Sequence, residues 1–132
     1  MRYDTPMRLR FRLLPDPYSV VRLDPSAEFP LPAAGERFVS VTRTSEELSI
    51  VCRDAIAPEG GRIEPGWRAL AFEGPIPFDQ TGVAATFTTA LAIQKIGVFV
   101  VSTFDTDYLL VKKEDLDGAR EALKADGIEV MA

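Results

Sequence analysis

A chain of 132 residues, 46% hydrophobic and 27% charged, has the size and composition of one globular domain or of two small modules sharing a core. Its net charge of -5, with 15 basic residues scattered along it, argues against nucleic acid or an anionic membrane as the main partner, since both call for a basic face. One cysteine, Cys52, and no histidine exclude an intramolecular disulfide, the usual Cys/His zinc sites and Ser-His-Asp or Cys-His catalysis within one chain. A proton shuttle near neutral pH would need a strongly shifted carboxylate, lysine or cysteine, and Cys52 reads as a small buried residue near a strand end. Residues 1–7 (MRYDTPM) lack the apolar segment of a signal peptide. No apolar run reaches the roughly 20 residues of a membrane span. The expected location is the cytoplasm.

Residues 8–14 (RLRFRLL) alternate, with Leu9, Phe11 and Leu13 on one side and arginines on the other, which predicts a half-buried strand near a sheet edge. Pro15, Asp16 and Pro17 predict a turn, and residues 18–23 (YSVVRL) a second short strand. Three prolines between 24 and 35 leave room for one helical turn at most. Residues 38–42 (FVSVT) and 48–52 (LSIVC) flank a turn at Ser45, Glu46 and Glu47 and predict a hairpin. Residues 54–66 read as a Pro- and Gly-rich connector, with a module boundary near Gly60 and Gly61.

The stretch 67–111 organises the rest. Residues 67–74 (WRALAFEG) predict a buried strand, which Pro75 and Pro77 end. Asp79 or Thr81 can cap a helix over 82–96 whose apolar face holds Val83, Phe87, Ala90 and Leu91, with Gly97 closing it. Residues 98–104 and 107–112 predict a second hairpin, turned at Asp105, Thr106 and Asp107. Residues 114–126 predict an amphipathic helix with the stripe Leu116, Ala119, Ala122 and Leu123, capped by Gly127, and residues 128–131 a closing strand.

A shift of 61 positions lays Phe38 on Phe99, Val39 on Val100, Thr42 on Thr103 and Leu48 on Leu109, with Ser45 on Thr106 and Glu46 on Asp107. The chain therefore reads as a duplication, with units 1–61 and 62–132. Each unit is of βαββαβ type, and the helices of the first are degraded. The second follows the ferredoxin-like split βαβ order, an α+β fold with an antiparallel sheet and both helices on one face.

Three stretches, SVTRT-x-x-ELSIVC (40–52), GWRAL-x-x-EGP (66–75) and STFDTDYLLV (102–111), together with FDQTGV (78–83) and IGVFV (96–100), resemble ACT domains. The chain is similar to the stand-alone tandem ACT proteins of bacteria, to the ACT pairs of the animal cytosolic arginine sensor and, more distantly, to aspartate kinase regulatory domains. The resemblance covers about residues 13–130. It implies an amino-acid cleft between ACT units, with Asp79, Gln80, Thr81, Gly82 and Val83 on one side and Ser102, Thr103, Phe104 and Asp107 on the other. It implies a non-catalytic regulatory protein that pairs with a second copy, acts on a separate regulated protein, and needs no metal or other cofactor. In the arginine-sensor branch an acidic residue takes the place of Gln80. Glutamine cannot match a cation's charge, which speaks against arginine as the ligand.

The chemistry of these residues fits a zwitterion without the resemblance. Free N–H groups opening a helix at 81–83 suit a carboxylate, and Gly82 permits close approach. A carboxylate at Asp107 or Asp105 suits an ammonium. Simpler roles stand beside these: Asp79 as a helix cap, Thr103 as a sheet residue with a satisfied hydroxyl, Asp105 and Asp107 as turn residues, Trp67 as core rather than an aromatic platform. A carboxylate pair at 105 and 107 lacks a group to split its pKa values, and EF-hand spacing is absent. The competing function is a protein-interaction, dimerising module with a vestigial ligand site.

Overall fold

The computed structural model describes residues 9–30, 32, 34–73 and 83–132, with Val83 by its backbone alone. Among them lie seven strands and two α-helices in the order β1 (Arg10–Leu23), β2 (Ser40–Arg43), β3 (Leu48–Arg53), β4 (Arg62–Phe72), α1 (Val83–Ile93), β5 (Phe99–Ser102), β6 (Asp107–Lys112), α2 (Leu116–Ala125) and β7 (Glu129–Met131). This is an α+β fold, mostly antiparallel. Two compact units divide the chain, Asp16–Trp67 and Met1–Pro15 with Arg68–Ala132, so the boundaries fall inside β1 and β4. No described helix is long and apolar enough to cross a membrane.

Residues 8–14 and 18–23 are not two strands joined by a turn. β1 runs through Pro15 and Pro17 without a break. A proline lacks the donor a ladder needs. β1 pairs with β7 at residues 10–12 and with β3 at residues 18–23, so both prolines fall outside these two ladders. Nor is the N-terminal half an edge strand. It lies between β7 and β4, and Phe11 is fully buried. The pairing with β7 is parallel, which departs from the all-antiparallel sheet expected. β4 also begins earlier than expected, at Arg62, and Gly66 takes a φ of 80° there that a side chain would strain.

In the unit 16–67, β3 pairs antiparallel with β1 on one side and β2 on the other. Val21, Leu23, Leu48, Ile50 and Cys52 alternate onto one face and form its core, against which Ala27, Phe29, Ile56 and Ala57 pack. The prolines of 24–35 keep this segment irregular, and η1, a 3-10 turn at Asp54–Ile56, follows β3.

In the other unit the strand order is β7, β1, β4, β6, β5. Leu9, Phe11, Leu70, Phe72, Leu109 and Val111 present one apolar face, and Phe87, Ala90 and Leu91 of α1 with Ala119, Ala122 and Leu123 of α2 cover it. Both helices thus pack on the same face. Phe11 sets its ring edge against Phe72 at 5.5 Å and against Phe87 at 5.0 Å. Such pairs add about 0.5–1.5 kcal/mol each to the area they bury.

The two hairpins share their local geometry, at an offset of 59 rather than 61. Thr44 N donates to Glu47 O at 2.9 Å, and Thr103 N to Thr106 O at 2.8 Å. Arg43 faces Leu48 as Ser102 faces Asp107. β3 and β6 share one burial pattern, and the 3-10 turns Asp54–Ile56 and Lys113–Asp115 follow them at the same spacing. Offsets of 59 and 61 differ by one strand period, so in/out alternation cannot tell them apart. The threonine opening each turn can.

Candidate ligand site at the β5–β6 turn

Ser102 ends β5 and Asp107 begins β6, directly opposite in register. Ser102 Oγ donates to Asp107 Oδ1 at 2.7 Å. Asp107 is only 9% exposed and has no cation beside it among the described residues. Its hydrogen-bond partner is thus a hydroxyl, that of the cross-strand neighbour Ser102.

The turn between them is set by its two threonines. Thr103 Oγ1 donates to Thr106 O at 3.1 Å and accepts from Thr106 N at 3.2 Å. This local competition with the ladder is what a threonine at a turn start does. Thr106 Oγ1 in turn donates to Phe72 O at 3.4 Å, which fixes the turn beside the C-terminal end of β4. Thr106 is the residue that sequence reasoning left out of the site; its signal was the Thr-x-x-Thr spacing. Phe104 stands at the tip, 80% exposed. Asp105 is exposed while Asp107 is buried, so the two face different surroundings. Among the described residues no three His, Cys, Asp or Glu side chains group as metal ligands.

The proposed facing half is only partly on view. Val83 is the first residue of α1, and Asp79, Gln80, Thr81 and Gly82 lie outside the described residues. An open groove of about 390 Å³ lies elsewhere, between the segment that follows α1 and the helix α2, lined among others by Gln94, Ile96, Glu114, Gly118 and Glu121.

Other ionisable groups are explained by structure alone. Arg53 grips Glu36 with two hydrogen bonds of 2.8 Å, Nε to Oε1 and Nη2 to Oε2, and this pairing holds the Glu36 carboxyl below its usual range. Burial, with Asp54 and Glu36 nearby, pushes the Cys52 thiol up to about 11, so it is no nucleophile. Burial, with Asp16 and Glu36 nearby, pushes the Tyr18 phenol to about 12.

Two helices on one face of a sheet, with a polar turn at one end of its strands, define a two-layer α+β module. A family model described as ACT domain matches residues 62–125 and a separate N-terminal-domain model matches residues 16–59, so the chain carries an ACT domain in its C-terminal half. The human protein CASTOR3P is 31% identical over 68% of this chain. The chain spans 63% of that relative, less than two thirds of its length. The crystal structure of protein Atu0741 from Agrobacterium tumefaciens is similar at 41% identity and a TM-score of 0.85, covering 95% of this chain and 93% of that one. Aspartate kinase from Clostridium acetobutylicum, an allosteric enzyme, shares the fold at 12% identity and a TM-score of 0.62, covering 86% of this chain and 33% of the kinase.

Proposed function

We propose that the chain is a non-catalytic regulatory protein of the cytoplasm that binds one amino acid at the β5–β6 turn and acts on a separate protein. The observation carrying this is the buried carboxylate of Asp107, which has a hydroxyl partner and no cation among the described residues. An α-ammonium supplies the missing charge, and the carbonyl-rich strand end supplies further acceptors. The ACT-domain match over residues 62–125 supports a small-molecule role, as does the fold shared with an allosteric aspartate kinase. On this reading Ser102, Thr103, Phe104 and Asp107 form one side of the site, and Asp79, Gln80, Thr81, Gly82 and Val83 the other, with the helix start taking the ligand carboxylate. The division into units 1–61 and 62–132 is, on this reading, a tandem of two ACT units.

Thermal unfolding with each of the twenty amino acids tests it. A ligand at 100 times its Kd adds about 2.7 kcal/mol, so at millimolar concentration at least one amino acid should raise the melting temperature. Asp107→Asn should abolish the rise. No rise with any amino acid contradicts the reading.

A second reading, a dimerising module with a vestigial site, draws support from the edges. β2 and β5 each end the strand order, and Val41 and Val100, equivalent in the repeat, are both 37% exposed. It expects a stable dimer whose light scattering does not respond to amino acids.

A further inference from the structure

The two repeated hairpins differ at one cross-strand pair. Where the second has Ser102 and Asp107, the first has Arg43 and Leu48. Arg43, exposed to solvent, is engaged through both its terminal nitrogens. Its Nη1 donates to Pro25 O and its Nη2 to Ala27 O at 2.8 Å, carbonyls of the turn that follows β1. That turn is held by Asp24, whose carboxylate accepts from Ser26 N at 2.9 Å and Ser26 Oγ at 2.6 Å. A guanidinium therefore fills the end of the first hairpin and finds its acceptors on the backbone. At the second hairpin Ser102 reaches only its neighbour, and the acceptor is the buried carboxylate of Asp107. At this cross-strand pair the first hairpin carries a cation without a carboxylate. At the equivalent pair the second carries a carboxylate without a cation.

We propose that Arg43 is a built-in occupant standing where a ligand's ammonium stands at Asp107, so that the chain takes one amino acid, at the second hairpin, and none at the first. On this proposal the short side chain of Ser102 leaves the place opposite Asp107 to a ligand. This rests on the amino-acid reading above, and the two can fail separately.

The test compares wild type, Ser102→Arg and Arg43→Ser by thermal unfolding without ligand and by equilibrium dialysis against each of the twenty L-amino acids. Wild type should bind one molecule per chain. Ser102→Arg places a guanidinium opposite Asp107, so it should unfold a few degrees higher without ligand and bind roughly tenfold or more weakly. Arg43→Ser should unfold lower without ligand and bind as wild type does. Two molecules per wild-type chain, undiminished binding by Ser102→Arg, or a Ser102→Arg chain with no cooperative transition overturns the proposal. If wild type binds no amino acid, the sensor reading falls. The occupancy claim is then decided by the ligand-free melting of Ser102→Arg: a rise supports it and no rise overturns it.

Discussion

Tyr18 and Cys52 sit in adjacent buried strands, and both hold their protons more tightly folded than unfolded. The thiol moves from 9.0 to about 11 and the phenol from 10.0 to about 12. Between those values the unfolded chain has released protons that the folded chain still holds. Stability is therefore complete below pH 9 and falls progressively from about pH 9 to about pH 12. Urea titrations at intervals across this range should show the midpoint dropping, and Cys52→Ala should remove the part that begins at the lower end. Glu36 acts with the opposite sign: its lowered carboxyl contributes above the ordinary carboxylate range and loses that contribution on acidification. The buried state of Cys52 was legible from its place in LSIVC. The burial of Asp107 was not, because nothing in DTD says which aspartate turns inward.

The two helices end in the same motif with different residues. Ile96 N donates to Leu91 O at 3.0 Å and Lys95 N to Ala92 O at 2.9 Å; Ile128 N donates to Leu123 O and Gly127 N to Lys124 O, both at 2.9 Å. Each is a Schellman cap with a Leu and Ile pair closing over it. Gly127 takes the left-handed position with a φ of 78°, whereas at α1 Lys95 must take it with a φ of 61°. The left-handed conformation costs an L-residue about 1–2 kcal/mol. Lys95→Gly should therefore stabilise the protein by about 1 kcal/mol, and Gly127→Ala should destabilise it by a similar amount, both read from urea midpoints at constant slope. The cap of α2 was legible because its glycine announces it. That of α1 was not, and the end of the helix was placed at Gly97, which has no positive φ. The prolines misled in the same way. They mark missing donors, and only the pairing partners reveal that 15 and 17 fall outside the ladders with β7 and β3.

For the molecule as a whole, periodicity fixed the hairpins, both helices and the apolar stripes of the C-terminal unit. What it could not supply was long-range order: that β1 passes between β7 and β4, or that Gly61 is packed rather than loose. A Cβ at Gly61 would lie 2.2 Å from Arg22 O, a close approach that a Gly-Gly pair does not distinguish from a linker. The candidate site was half legible. The resemblance and the turn chemistry pointed to 102–107, but the link from Thr106 to Phe72 needed coordinates. The account stands on one claim, that an amino acid completes the charge of Asp107. A crystal grown with a mixture of the twenty amino acids tests it most directly. The account predicts density for one zwitterion with its ammonium in hydrogen-bond distance of the Asp107 carboxylate. A carboxylate sealed by the chain's own side chains, or an amino acid lodged only in the groove beside Gly118, would contradict it.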